Sequence, residues 1–310
     1  TPECNDKTIF SEKQFGKIKV NTNYQEEGKG FCGNEISKEF SQVGKGGEFV
    51  RWILDETSGN MLIYGRGRMQ EYEESETYEW KKEEYYNTIK KVIIDEDVTS
   101  ITDYGFRGSL IQEIKIPTTV EEIGNNILKE CHELIKIEVT QGNEKYSSDE
   151  YGVLYKLSES KEPKEIIQYP IGNEQINYIM PTTIEIINSE SFEYSQYLET
   201  ITLAKGITEI HEYAFKHCYS LKSFEMSEEG TIAGNYKVID KVLFDKDTKV
   251  LIQYPISNEN VIYTIPPTVI TISGYSFYGS EELEHIEMSD SITTIEEYSL
   301  YNISKLRTIT

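Results

Sequence analysis

From about residue 90 the chain repeats two apolar phrases at a fixed period. Ile111, Ile114 and Ile116 are followed by Leu134, Ile137 and Val139, each 23 residues later. Leu198, Ile201 and Leu203 become Leu221, Phe224 and Met226 by the same step, and Leu283 and Ile286 become Leu306 and Ile309. Alternating apolar residues in so short a run predict a β-strand with one buried face. Pro or a polar residue closes the phrase, as in Ile116-Pro117, Met180-Pro181 and Ile265-Pro266. Proline has no N–H for a ladder, so it turns the chain at a set point. The second phrase places Val or Ile three residues before Ile (Val98/Ile101, Val120/Ile123, Ile207/Ile210, Ile292/Ile295) and then a small-large pair such as Gly105-Phe106, Ser191-Phe192, Ala214-Phe215 or Ser276-Phe277. The small residue lets backbones approach while the large one fills the core. Ile127-Leu128 departs from this pattern and is expected to pack less tightly or to shift its coil. Such a unit predicts a right-handed solenoid of about eight or nine short parallel coils.

A longer repeat lies over the short one. Ile166-Ile167-Gln168-Tyr169-Pro170 returns 85 residues later as Leu251-Ile252-Gln253-Tyr254-Pro255. Val153-Leu154-Tyr155 and Val242-Leu243-Phe244 stand upstream of each, so each phrase reads as one arm of an inserted β-hairpin, at about 141–171 and 228–256. Residues 89–310 are therefore the repeat array and 1–88 an N-terminal cap region. Within the cap, 1–48 is a polar lead-in. In 49–88, Phe49–Leu54 and Met61–Tyr64 predict a hairpin and Trp80–Ile89 a short helix covering the open edge of the array.

The combined phrase Ile-x-Ile-Pro, Val-x-x-Ile, Ala-Phe-x-x-Cys-x-x-Leu resembles the BspA-like leucine-rich repeats. Ala214-Phe215-Lys216-His217-Cys218-Tyr219-Ser220-Leu221 carries its second half almost completely. The inserted hairpins and the lead-in from Trp52 to Met69 are also similar, so the resemblance covers about 49–310. It implies an α/β repeat solenoid: short parallel strands, β-hairpin insertions and an N-terminal hairpin-plus-helix cap. It also implies a secreted or surface protein of the kind found in mucosal bacteria and parasitic protists, where several members are implicated in adhesion to matrix proteins and host cells.

Composition narrows the partners. The 310 residues carry 54 acidic and 31 basic side chains, a net charge of −23. Nucleic acid and anionic membranes draw affinity from Lys and Arg, so neither is an expected partner. No apolar run is long enough to span a bilayer. The chain opens at Thr1 and stops inside a repeat at Thr310, so a longer parent with a cap or an anchor is expected. Cys4 and Cys32 could close a disulfide in the lead-in, contributing about 3–4 kcal/mol in the loop-entropy picture. Cys131 and Cys218 share one repeat phase about three coils apart, on the order of 15 Å, and read as small buried ladder residues.

The motifs of catalysis and metal binding fail on inspection. His211-Glu212 opens like a zinc-protease helix, but Phe215 stands where the second His is required. Cys131-His132 and His217-Cys218 lie too far apart to pool four ligands. Asp245-Lys246-Asp247 lacks the Gly and the closing Glu of a calcium loop. Gly65-Arg66-Gly67 and Gly44–Gly47 lack the remainder of a dinucleotide or phosphate loop, and Arg107-Gly108-Ser109 receives no function. No cofactor, metal or catalytic residue is expected, and the chain reads as non-enzymatic.

Surface remains. Alternation points Lys115, Glu138, Thr202, Glu225, His285 and Glu287 outward as a candidate strand face. Tyr is abundant at 23 residues and crowds the insertions and turns. Tyr151, Tyr155, Tyr169 and Tyr254 are candidate insertion contacts, with coil packing as the competing role. Asn302-Ile303-Ser304 is a candidate N-glycosylation site. The function expected is recognition of a host or matrix protein, or a glycan, outside the cell or at its surface, with adhesion as the use. The competing classes are a structural, self-assembling surface protein and, behind it, a secreted hydrolase.

Overall fold

A computed structural model describes residues 50–70, 86–228 and 234–310, together with the backbone of three short strands at Asp6–Lys7, Val20–Asn21 and Gln42–Lys45. The array is a β-solenoid of about nine turns. Its coil strands fall into three sets. Lys91–Ile94, Glu113–Ile116 and Lys136–Val139 form the first, and Asn177–Ile179, Thr200–Leu203 and Ser223–Met226 the second. The third is Ile262–Thr264, His285–Glu287 and Thr308–Ile309. Within each set the strands are parallel and in register at the sequence period: Ile114 beside Ile137, Ile201 beside Phe224, Ile286 beside Ile309. A constant period sets each inward residue over its equivalent, so one column fills the interior of each set: Val92, Ile114 and Ile137 in the first, Tyr178, Ile201 and Phe224 in the second, and Tyr263 and Ile286 in the third, where Ile309 is left exposed at the end.

The return side of each coil is narrower. Two-residue strands pair there, as Ser100–Ile101 with Glu122–Ile123 and Thr271–Ile272 with Thr294–Ile295. The α/β expectation fails on this side, which runs through turns instead of helices. Two residues four apart take left-handed backbone in each coil, for example Tyr213 (φ 62°) with His217 (φ 57°) and Tyr298 (φ 53°) with Asn302 (φ 60°). Positive φ ends right-handed helical winding, and the bonds that form close three residues back, as Lys216 N–H to Tyr213 C=O at 3.0 Å. Of the expected helix, Trp80–Tyr85 lie outside the described residues. At the described end Tyr86 is helical, and Asn87 and Thr88 turn the chain into the first coil strand.

The hairpin itself is present. Val50–Asp55 and Asn60–Gly65 pair antiparallel, and Asn60–Gly65 then pairs parallel with Lys91–Ile94. Val50, Trp52, Leu54, Met61 and Ile63 are buried, so the hairpin continues the coil sheet and covers its first edge.

Each insertion is larger than a hairpin. A third strand, Tyr146–Ser148 or Tyr236–Ile239, precedes the two read from sequence. It lies at the outer edge of its sheet and adds Tyr146 to the first cluster, or packs Val238 and Ile239 against the second and third. The last insertion strands, Pro163–Gln168 and Val250–Gln253, pair parallel with the return strands Ile186–Ile187 and Thr271–Ile272. The insertions thus separate the coil sheet into its three sets. They also partition the core: Leu154 packs with the first cluster and Val153 with the second, while Leu243 packs with the second and Val242 with the third. Successive strand residues point to opposite faces, so one strand serves two cores.

The 85-residue repeat has a structural reason. Tyr169 stacks on Phe192 with ring centroids 5.3 Å apart, and Tyr254 on Phe277 at 5.1 Å. The preceding glutamines donate to the same backbone sites, Gln168 to the carbonyls of Tyr169 and Ser191, and Gln253 to those of Tyr254 and Ser276. Cys131 and Cys218 are buried free thiols that reach the carbonyls of Phe106 (3.0 Å) and Phe192 (3.1 Å). Burial pushes the Cys218 thiol up to about 12, which leaves it unreactive. Ile127 and Leu128 are buried, and Leu128 stands where other coils place Phe.

Candidate interaction surfaces

The strand face is exposed but occupied by its own neighbours. Lys91 pairs with Glu113 at 2.5 Å, and Lys115 with Glu138 at 3.2 Å, with Lys136 a further 3.4 Å from Glu138. Thr200 bonds Ser223 (3.0 Å), Thr264 donates to Glu287 (2.6 Å), and His285 meets Thr308 (2.6 Å). Apart from Lys136–Glu138, which lie two residues apart on one strand, these are register partners on successive coils, held apart by the strand spacing. Exposed ion pairs of this kind contribute only about 0–1 kcal/mol each. The predicted face is also divided, with Lys115 and Glu138 on the first sheet, Thr202 and Glu225 on the second, and His285 and Glu287 on the third. Outward Ile179 and Ile262, which sequence reading passed over, add apolar area beside the insertions.

The insertion tyrosines are corrected by burial. Tyr155, Tyr169 and Tyr254 are at most 1% exposed and cannot touch a partner, and Tyr151 is half-buried. Aromatic rings fill these positions because each insertion must supply a core layer where a regular coil would have Phe. Tyr155 donates to Asp149 at 2.5 Å and also meets the hydroxyl of Tyr178, while the backbone N–H groups of Tyr151 and Val153 reach the same carboxylate. Burial, opposed by those hydrogen bonds, leaves the Asp149 carboxyl above its usual value of 3.8. A raised folded-state value means that ionisation disfavours the fold. This contribution is complete below pH 3.8 and is lost as pH rises through the folded value. Asp149→Asn is therefore expected to melt higher than the parent at neutral pH, with the gap closing as pH falls toward 3. Thermal melts across pH check this, and an Asn variant less stable at pH 7 would contradict it.

The remaining sequence candidates lie elsewhere. Cys4 and Cys32 are outside the described residues. Asn302 is exposed on a return turn with left-handed backbone. Among the described residues no group of three or more His, Cys, Asp or Glu is arranged to hold a metal.

The return side carries two joints where an insertion separates successive full coils. At the first, Lys129 reaches across to Glu190 (2.6 Å) and Glu193 (3.5 Å). Lys216 (3.5 Å) and His217 (3.6 Å) approach Glu193 from its other side. Burial opposes ionisation of Glu193, but His217, Lys129 and Lys216 outweigh it and hold the carboxyl below its usual range. At the second joint the residues aligned with Glu190 and Glu193 are Tyr275 and Tyr278. Lys216 Nζ there lies 4.6 Å from the centroid of the Tyr275 ring and 5.4 Å from that of Tyr213.

From this joint an aromatic band spreads over the return side. Tyr213, Tyr275 and Tyr298 follow at 5.2 and 5.1 Å. Beside them run His217–Tyr278 (4.9 Å) and Tyr278–Tyr301 (5.9 Å), with Tyr219 stacked on His217 at 5.6 Å. Tyr213, Tyr219, Tyr298 and Tyr301 are exposed. Sequence reading missed Tyr213, Tyr275 and Tyr298. The signal was the residue just before each small-large pair, the left-handed position that projects its side chain away from the core.

The family profile of the BspA type leucine rich repeat region matches residues 81–173, 164–250 and 255–310, in six copies. The chain belongs to the BspA-type leucine-rich repeat family. The strand-and-turn coils of this BspA-type array are similar to those of several bacterial structures. One is a leucine-rich repeat protein from Eubacterium ventriosum ATCC 27560, with 16% identity, 87% of this chain and 90% of that one covered, and a TM-score of 0.45. The pneumococcal vaccine antigen PcpA shows 17% identity, 88% and 71% coverage, and a TM-score of 0.46. A leucine rich cell surface protein from Faecalibacterium prausnitzii A2-165 shows 18% identity, 88% and 77% coverage, and a TM-score of 0.44. No curated protein matches this BspA-type chain. Among its described residues no helix is long and apolar enough to cross a membrane.

Proposed function

We propose that this protein is a secreted or cell-surface recognition protein, binding rather than catalytic, that holds a host or matrix protein through its repeat array, with adhesion as the use. The observation that carries the reading is the aromatic band of the return side. Tyr213, Tyr219, Tyr298 and Tyr301 are exposed together on a rigid face, and Tyr supplies large contact area at low entropic cost. The strand face supports it less, because its polar groups are satisfied by one another. The net charge of −23 favours basic patches on the partner and an association that weakens with salt.

Surface plasmon resonance against matrix proteins and oligosaccharides, at low and physiological salt, tests the reading, together with protease shaving of intact cells that express the full-length protein. Saturable binding at micromolar concentration or tighter is expected, weakened by salt and little changed by Glu138→Lys or Glu287→Lys. A protein that resists shaving, binds nothing and gains mass with concentration would be a structural, self-assembling element instead.

A further inference from the structure

We propose that the slot at the second joint is a cation trap, which takes an arginine or lysine side chain from a basic segment of a protein partner. The proposal rests on the recognition reading above and gives it a partner class. The slot has a volume of about 180 Å³ and lies between the coil that ends in Lys216 and the coil that begins at Ser273. Tyr213 and Tyr275 form one wall, their rings edge to face at 85°, and Glu212, Glu296 and Glu297 form the rim. Among the described residues none of these three carboxylates has an ion-pair partner. Glu296 accepts only the backbone N–H of Gly274, at 2.9 Å.

Three observations point to a cation. First, the ring faces already attract one, since Lys216 Nζ stands over both Tyr275 and Tyr213. Lys216 is also drawn back toward Glu193 at 3.5 Å, so it does not neutralise the rim. Second, the first joint is an internal control. The same gap there is closed by Lys129 between Glu190 and Glu193. The second joint has rings in place of those acids and acids displaced to the rim, which leaves the rim charge unpaired among the described residues while Lys216 rests on the ring faces. Third, Tyr213 and Tyr275 occupy the left-handed turn position shared by the other coils, at φ 62° and 58°. It turns both rings out of the core, where they pack on each other and on Tyr298 at the slot. Burial and the surrounding glutamates push the Tyr213 hydroxyl above its usual value, as expected in a negative field. A guanidinium stacked on Tyr275 with its N–H groups on Glu296 or Glu297 would combine cation–π attraction with charge-assisted hydrogen bonds.

Fluorescence anisotropy with a labelled (Arg-Gly)4 peptide and the full chain tests this, with (Glu-Gly)4 and cellohexaose as comparison probes. Binding of the arginine peptide is expected to fall about tenfold with Tyr275→Leu and to be retained with Tyr275→Phe. The double change Glu296→Gln with Glu297→Gln should weaken it by a similar factor. Lys216→Gln, which removes the resident cation, should tighten it several-fold. Glu150→Gln with Glu159→Gln removes the same charge from the two turns of the first insertion and should leave it unchanged. Circular dichroism melts exclude unfolding as the cause. Equal losses from the rim and the distant pair would reduce the effect to general acidity and overturn the trap. Cellohexaose binding abolished by Tyr275→Leu, without peptide binding, would make the slot a glycan site. If no probe binds while the matrix screen finds a ligand elsewhere on the array, the trap fails and the recognition reading stands.

Discussion

Tyr169→Ala is expected to destabilise the array by about 3–5 kcal/mol, the range for removing a buried aromatic ring. Tyr169→Phe is expected to be neutral or to stabilise it by up to about 1 kcal/mol. The ring packs between Phe192, with which it stacks at 5.3 Å, and Tyr178 at 5.4 Å, while its buried hydroxyl finds no hydrogen-bond partner among the described residues. An unpaired buried polar group costs about 1–3 kcal/mol, and Phe removes it while keeping the ring. The equivalent Tyr254 bonds Asn258 at 3.1 Å, so Tyr254→Phe should lose stability instead. Denaturant midpoints of the three variants measure the contrast. Because neighbouring coils stabilise one another in such an array, the Ala variant should melt the middle core cluster first. Equal effects of Tyr169→Phe and Tyr254→Phe would show that the hydroxyl environments do not differ as described.

Lys129→Met is expected to cost about 2–3 kcal/mol, between the limits for exposed and fully buried pairs. Removing the ammonium leaves Glu190 and the 5%-exposed side chain of Glu193 facing each other across the first joint. Lys91→Met, which breaks an exposed register pair, should cost less than about 1 kcal/mol. The pH dependence has two limbs. Glu193 is held below its ordinary 4.5, so its contribution is present above pH 4.5 and is lost as pH falls through the folded value. Lys129 is raised above 10.5: desolvation works against this, but Glu190 and Glu193 outweigh it. Its contribution is present below pH 10.5 and is lost as pH rises beyond. The Met variant should remove the Lys129 share of the alkaline loss, leaving the share of the buried tyrosines, whose hydroxyls are also raised by burial, and should reduce the acid loss. Urea unfolding from pH 3 to 11 resolves both limbs, and an unchanged profile would show that the joint is not held by this cluster.

The tyrosines show how far the chain could be read without its fold. Apolar spacing alone placed Ile114, Ile137, Ile201, Phe224 and Ile286 inward and in register, because a fixed period in a strand admits one arrangement that buries every repeat. The same spacing located both insertions and the hairpin at Val50–Asp55 and Asn60–Gly65. It could not tell Tyr169 from Tyr213. Both are polar-tipped rings near a turn, and one belongs to the core while the other faces solvent. That choice depends on which neighbouring coil lies above each ring, a contact between residues distant in sequence: Phe192 covers Tyr169, whereas Tyr213 meets Tyr275 edge to face and borders the slot. Likewise the outward charges of Lys115 and Glu138 were legible, but their mutual pairing was not, since it needs two strands one coil apart. The sequence by itself determined the repeat, its inward column and its family. The tertiary structure alone decided that the return side would be turns rather than helices, that the insertions would divide the strand face, and that the aromatic surface would lie on the opposite side, because each of these follows from stacking between coils rather than from the local pattern within one.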